Sequence, residues 1–381
     1  MQKRTTCLKL LFILTATTAT LGLLGPLSAV AQPKLGPEES ASKLQLTVNR
    51  IGDGVIGVTF ENGDNAGVLL NLGSMFASGR VLIPDRLHVI VTKASGSSRQ
   101  FQWDGDTIAR EMSPADYARR DEFIVPLMPT AQYNIIPPLQ GPIVSVNRRG
   151  PVAANGEEVV TPGDKVQATY DGPAPSRTYQ FTESREKPAF PMWTKTVESA
   201  PLAYSDHVPE STPLDSLDLV SGLQVVLDRA ADGVLIVTFQ NDNAAQVLNL
   251  GIITGREWVP NRLHFIVTGV SGETGQLTFK DGGGVGGRID DFLVPLMPAG
   301  KYTVTLPLSG LIFRASNGTF LRGENALIAG DKVQAVYEGE ATFRANAGGL
   351  WNNPGLPIWD GRIESSPLLI TPRDWVQEME R

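Results

Sequence analysis

Residues 84–92 read PDRLHVIVT, and residues 260–268 read PNRLHFIVT, an identity of seven residues in nine. Two more pairs of segments match in the same order along the chain: FIVPLMP at 123–129 with FLVPLMP at 292–298, and GDKVQATYDG at 163–172 with GDKVQAVYEG at 330–339. Self-similarity over most of a chain is the signature of a duplicated structural unit. The sequence therefore predicts two copies of one domain.

The matched segments have the pattern of β-strands. Residues 44–48, 165–170 and 332–337 alternate apolar and polar side chains, which is the period of a strand with one buried face. Turn-forming pairs such as Asp53-Gly54 and Pro162-Gly163 lie between these segments. The pattern predicts an all-β chain of two tandem antiparallel β-sandwich domains, immunoglobulin-like in the broad architectural sense, with a closed barrel as the alternative.

The N-terminus has the three parts of a secretory signal peptide. Basic residues at Lys3, Arg4 and Lys9 precede an apolar stretch over 10–24, and small residues at 29–31 form a cleavage site. Threonines and glycines dilute the apolar stretch, which is shorter than the roughly 20 residues that a membrane span needs. We expect an exported protein, periplasmic or extracellular, that is not inserted in the membrane after cleavage.

The expected domain boundaries follow from the repeat and from the polar segments beside it. They are a signal peptide at 1–31, an N-terminal linker at 32–42, the first copy at 43–204, a linker at 205–221, the second copy at 222–370, and a C-terminal tail at 371–381. We refer to the two copies as the N-terminal half and the C-terminal half.

Charge and cysteine content exclude several classes of function. The signal peptide carries three of the 33 basic residues and none of the 40 acidic ones, so the mature net charge is −10. This balance argues against nucleic acid as a partner. The single cysteine, Cys7, lies in the signal peptide, so the mature chain has no disulfide and no thiolate metal site. We expect no cofactor and no bound metal.

Two histidines occupy equivalent places in the repeat. Arg86 and His88 are two residues apart in the N-terminal half, as are Arg262 and His264 in the C-terminal half. On a strand, each pair would share its outer face and could bind an anion, because both side chains donate hydrogen bonds. The alternative is a surface pair that binds other side chains of the protein.

Tryptophans divide into those that the repeat duplicates and those that it does not. Trp193 and Trp359 match across the copies, which indicates a packing role. Within the two copies, three others lack a tryptophan partner and are candidate binding residues: Trp103, Trp258 and Trp351.

Other motifs have simpler interpretations than a functional site. The glycine run at 282–287 satisfies G-x-G-x-x-G, but a strand rather than a helix follows, so we interpret it as a hairpin loop. Adjacent acidic residues at 121–122 and 290–291 would point to opposite faces of a strand and could not act together as acid and base. Clusters of Asn and Asp at 61–65 and 241–243 match no calcium-loop spacing and are typical of turns.

The predicted function is therefore that of an exported, non-catalytic binding or structural protein with a protein or glycan partner. The alternative is a secreted hydrolase, or a hydrolase-accessory protein, that uses carboxylates in one copy only. A protease inhibitor with a rigid loop is a third hypothesis. The sequence favours a chain without enzymatic activity, because it contains no nucleophile motif.

Overall fold

The computed structural model describes most of the chain in 14 segments. These are residues 43–52, 55–76, 81–103, 121–137, 143–147, 150–154, 160–173, 190–204, 222–230, 233–254, 257–279, 289–315, 320–340 and 356–371. The predicted signal peptide, the linker at 205–221, the glycine run at 282–287 and Trp351 lie outside the described residues. Residues 42–381 form one compact unit.

The described chain is all-β, as predicted, and its strands pair in antiparallel sheets. The N-terminal half contains β1 (Leu44–Gly52), β2 (Val55–Asn62), β3 (Val68–Phe76), β4 (Val81–Ile83), β5 (Leu87–Thr92), β6 (Ser98–Trp103), β7 (Asp121–Leu127), β8 (Gln132–Ile135), β9 (Ile143–Asn147), β10 (Gly150–Ala154), β11 (Lys165–Asp171), β12 (Thr196–Glu198) and β13 (Leu202–Ala203).

The C-terminal half contains the remaining strands and two short 3-10 helices. The strands are β14 (Leu223–Ala230), β15 (Val234–Asn241), β16 (Gln246–Thr254), β17 (Glu257–Val259), β18 (Leu263–Thr268), β19 (Thr274–Phe279), β20 (Ile289–Leu296), β21 (Lys301–Pro307), β22 (Leu311–Ala315), β23 (Phe320–Arg322), β24 (Lys332–Gly339), β25 (Gly361–Glu364) and β26 (Leu368–Leu369). The 3-10 helices are Leu308–Gly310 and Gly323–Asn325. No helix within the described segments has the length and hydropathy needed to cross a membrane.

One six-stranded sheet joins the two halves, and we call it the shared sheet. Its order is β1-β2-β8-β21-β15-β14, so three strands come from each half. The junction is the antiparallel pairing of β8 with β21, in which Tyr133 lies opposite Tyr302. The sequence prediction of two domains did not include this edge-to-edge pairing.

Each half also forms an outer sheet and a three-stranded sheet of its own. The outer sheets have the orders β10-β9-β6-β5-β11-β12 and β23-β22-β19-β18-β24-β25, with β13 and β26 paired to β11 and β24. The three-stranded sheets are β4-β3-β7 and β17-β16-β20. The strand order is therefore the same in both halves.

Alternating burial places the core between the shared sheet and the outer sheets. In β5 and β18 the odd-numbered residues, such as Val91 and Val267, are buried, and the even-numbered ones face outward. This alternation is the one that the sequence pattern predicts for both strands. In the core, Phe60 of the shared sheet meets Tyr170 of the outer sheet edge to face, with ring centroids 5.3 Å apart.

Two buried tyrosines fasten the junction. The hydroxyl of Tyr133 donates to the carbonyl oxygen of Pro295 at 3.0 Å, and that of Tyr302 donates to the carbonyl oxygen of Pro126 at 3.1 Å. Each bond crosses from one half to the other. Burial raises the pKa of both hydroxyls far above their usual value, so they stay neutral donors. The duplicated F-x-V-P-L-M-P segments therefore supply acceptors for the partner half.

Candidate functional site

An apolar cleft of about 340 Å³ lies where the two halves meet. Met128 and Pro129 of the N-terminal half form one wall. The C-terminal half supplies residues 258–260, Phe279, residues 304–307 and Gly310. This volume is at the lower end of the range of small ligand sites in proteins.

The cleft exists because β21 is longer than its neighbour across the junction. Strand β8 pairs with β21 only from Lys301 to Thr303, whereas β15 pairs with β21 along its whole length to Pro307. Just before β8 the chain turns away through Met128 and Thr130, and the backbone of Thr130 has a positive φ of 60°. Residues 304–307 therefore extend past the end of β8, beside Met128 and Pro129.

The corresponding strand of the N-terminal half is cut short by a proline. Counted from the paired Tyr133 and Tyr302, Pro137 occupies the position of Leu306. Proline has no N–H for a sheet ladder and disfavours further strand pairing. Strand β8 accordingly ends at Ile135, two residues before Pro137, at the end of the strand away from the cleft. The cleft itself lies past the first residue of β8, Gln132, which is the partner of Thr303.

Trp258 is the aromatic wall of the cleft. It lies on β17 opposite Ile253 of β16, and its ring stacks on Phe292 with centroids 4.9 Å apart at an interplanar angle of 30°. Its indole nitrogen is shielded from solvent and has no hydrogen-bond acceptor within the described residues. The same register position in the N-terminal half is Leu82, opposite Met75. Trp258 therefore distinguishes the two halves, as expected from its lack of a tryptophan partner.

Among the described residues that line the cleft, none has an ionisable side chain. Three of these described residues are prolines, at 129, 260 and 307, and one, Thr305, carries a hydroxyl. General acid–base catalysis needs a titratable group within hydrogen-bond reach of the substrate. The lining therefore suits binding of an uncharged, apolar group.

The other two candidate tryptophans do not add to this site. Trp103 is buried at 4% exposure at the end of β6, where its side chain belongs to the core. Trp351 lies outside the described residues. Of the duplicated pair, Trp193 is buried and donates to the carbonyl oxygen of Lys195 at 2.7 Å, and Trp359 stacks on Tyr337 at 5.2 Å. Both contacts are those of packing residues.

The arginine and histidine pair of the N-terminal half contacts its own protein. His88 Nε2 lies 3.1 Å from Asp171 Oδ2, and the Thr196 hydroxyl donates to Asp171 Oδ1 at 2.6 Å. Arg86 precedes β5 and lies in the turn before it, not on the strand itself. Its Nε and the His88 Nδ1 are buried without a hydrogen-bond partner in the described part of the chain. Asp171 therefore already occupies the position beside His88 Nε2 that an anion would take.

The pair of the C-terminal half is enclosed by carboxylates. Arg262 forms an ion pair with Glu340. Arg362 pairs with Glu338 at 3.0 Å and with Glu364 at 2.7 Å beside His264. Burial lowers the pKa of His264, Arg362 lowers it further, and the two glutamates oppose this effect. An anionic ligand would have to displace these carboxylates, and none of the four predicted residues lines the cleft.

The Asn- and Asp-rich segments are turns held by hydrogen bonds. Asn62 donates to the carbonyl oxygens of Ala66 and Leu127, both at 2.9 Å, and accepts from the backbone N–H of Asp64 at 3.0 Å. Asn241 makes the corresponding contacts in the C-terminal half. The described residues contain no cluster of three or more side chains able to hold a metal ion.

Comparison with protein-family models and with curated proteins finds no match to this chain. The assignment of the cleft as the candidate site therefore rests on its geometry and chemistry.

Proposed function

We propose that this chain is an exported, non-catalytic binding protein, periplasmic or extracellular, with two tandem immunoglobulin-like β-sandwich copies. Its ligand site is the cleft between the halves. The N-terminal sequence pattern supports export. The identical strand order of the halves, and the contacts of β1 with β11 and of β14 with β24, support the layered arrangement.

The observation that supports the binding role is an apolar cleft whose described lining residues include no ionisable group, with Trp258 and Met128 contributed by different halves. Burial of apolar surface drives association with such a site. A glycan would need several polar partners, and the lining offers few. A hydrolase would need convergent carboxylates, and none of the lining residues that the structure describes supplies one, so no second function is proposed.

The experiment uses a cleft-filling variant of the mature protein. Gly310 lines the cleft, and a Cβ on it would meet no atom within 4 Å, so Gly310→Phe adds a bulky ring at the lining without displacing the backbone. The control is Val270→Phe, at a position that is 70% exposed and outside the lining. The probes are indole and cyclohexanol, titrated by calorimetry and by ligand-observed NMR.

We expect indole to bind with a Kd near the millimolar range, since about −0.5 kcal/mol per non-hydrogen atom is ordinary for a fragment of this size. Gly310→Phe should abolish this binding, and Val270→Phe should leave it unchanged. The proposal is wrong if neither probe binds, or if Gly310→Phe binds both as well as the parent protein does.

A further inference from the structure

The side of β21 that faces the cleft is a free sheet edge. Residues 304–307 pair with β15 on one side, from Val237 to Val234. On the other side β8 has ended at the partner of Thr303, and no other described strand takes its place. Alternate residues of an antiparallel strand direct both N–H and C=O to the same side. Leu308 N–H donates to the carbonyl oxygen of Gly233, so the even-numbered residues 304 and 306 direct their backbone groups to β15. The free side of the overhang therefore offers the N–H and C=O of Thr305 and the C=O of Pro307 to an added strand.

The cleft runs along this edge. Four consecutive residues, 304–307, line it, although successive side chains of a strand point to opposite faces. A cavity over one face would contact every second residue. Contact with all four places the cleft beside the strand, where the next strand of the shared sheet would lie.

The walls fit apolar side chains of an added strand. Met128 and Pro129 lie past the end of β8, so they border the missing strand position on the far side. Trp258 and Phe279 form apolar surface on the C-terminal side. Since none of these groups is charged, a charged residue would lose its hydration without gaining a partner.

We infer, building on the proposed function, that the cleft binds an extended, uncharged peptide segment, which adds as a strand to β21 at residues 304–307. The backbone of the peptide bonds to the free edge, and one of its large apolar side chains enters the space beside Trp258. The added strand continues the shared sheet where β8 leaves it.

The test compares three peptides with identical side chains. One is an acetylated and amidated heptapeptide of alternating valine and threonine with phenylalanine at its centre. The other two carry N-methyl groups on one or the other set of alternate amides, so each cannot donate hydrogen bonds from one side of the strand. Both are made because only one side faces the protein. Affinities are measured by calorimetry, and hydrogen–deuterium exchange by NMR follows the amide of Thr305.

We expect the parent peptide to bind at least tenfold more tightly than one of the N-methylated forms. It should slow exchange of the Thr305 amide at least tenfold and displace indole, and Gly310→Phe should weaken its binding at least tenfold. Strand addition is wrong if neither N-methylated form binds more weakly than the parent peptide, if exchange at Thr305 is unchanged, or if this amide is already protected in the free protein. Binding of indole in those cases would keep the proposed function and reject only the peptide. Loss of both ligands would reject both proposals.

Discussion

Replacing Asp164 with asparagine removes a buried carboxylate that ties two turns together. Asp164 is 2% exposed at the turn before β11. It accepts hydrogen bonds from Lys93 Nζ at 2.8 Å, from the Thr161 backbone N–H at 2.8 Å, from the Thr161 hydroxyl at 2.9 Å and from the Ala94 N–H at 3.3 Å. Burial raises the pKa of this carboxyl, but the bonds from Lys93 and Thr161 outweigh burial and lower its pKa to about 2.

The shift gives both the size and the pH dependence of the effect. The ordinary pKa of Asp is 3.8, and the folded pKa of Asp164 is about 2. At about 1.4 kcal/mol per pKa unit, ionised Asp164 contributes about 2 kcal/mol to the free energy of unfolding. Because the folded pKa is the lower one, this contribution is present above pH 3.8 and is lost as the pH falls to about 2.

The C-terminal half provides a matched control. Asp331 occupies the equivalent turn and is buried, and its Oδ2 accepts from the Ile328 N–H at 2.9 Å. Its Oδ1 has no hydrogen-bond partner in the described part of the chain. Gly269 stands where the N-terminal half has Lys93. Asp331→Asn should therefore lower the free energy of unfolding by less than Asp164→Asn does.

Urea unfolding of both variants from pH 7 to pH 2 measures the difference. We expect Asp164→Asn to lower the free energy of unfolding by about 2 kcal/mol at pH 7, with the deficit shrinking towards zero near pH 2. The reasoning is refuted if Asp164→Asn and Asp331→Asn are equally destabilising at pH 7. A deficit of unchanged size at pH 2 would refute it as well.

Three further substitutions test other contacts. Gly269→Lys should raise the free energy of unfolding by about 1 kcal/mol. A Cβ at position 269 would lie 3.8 Å from the unbonded oxygen of Asp331, so the lysine can pair with this carboxylate as Lys93 does with Asp164. An unchanged free energy of unfolding in urea would contradict this. Tyr133→Phe should lower the free energy of unfolding by about 1–3 kcal/mol in urea, because it leaves the buried carbonyl oxygen of Pro295 without its hydrogen-bond donor across the junction. A smaller decrease would mean that this hydrogen bond does not stabilise the contact between the halves. Trp258→Leu introduces the residue that Leu82 provides at the same position of the N-terminal half, so its circular dichroism spectrum should be unchanged. It should weaken indole binding at least tenfold in calorimetry. An unchanged affinity would exclude Trp258 from the binding site.

The local structure could be predicted from the sequence because strand patterns are local. Alternation in residues 87–92 fixed which face of β5 is buried, and side chains such as Val89 are in the core. Similarly, Asn62 holds its own turn by bonds to nearby backbone, which is why an Asn-rich segment could be interpreted as a turn rather than as a metal site.

The junction could not be predicted because pairing between sheet edges depends on which edges remain free. Residues 132–135 and 301–307 look like ordinary strands, and nothing in either pattern specifies that one pairs with the other. Tyr133 and Tyr302 also gave no signal, since their bonds reach carbonyls about 160 to 180 residues away in the chain.

The candidate site was predictable only in part. Trp258 was a candidate because it has no tryptophan partner, and the structure places it in the lining of the cleft. Met128 and Pro129 were missed, because they belong to the duplicated segment that was assigned to the scaffold. Pro137 does not mark the free edge, because it follows the C-terminal end of β8, whereas residues 304–307 extend past Gln132 at the other end of that strand.

The most direct measurement of the cleft as a binding site is a two-dimensional ¹H–¹⁵N NMR titration of the mature protein with indole. The sequence has six tryptophans, each with one indole N–H signal, and the signal missing from Trp258→Leu identifies that of Trp258. We predict that the ligand shifts the Trp258 signal and leaves those of Trp193 and Trp359 in place, with no shift in Gly310→Phe. A saturable shift of Trp193 or Trp359 with Trp258 unmoved would contradict the account.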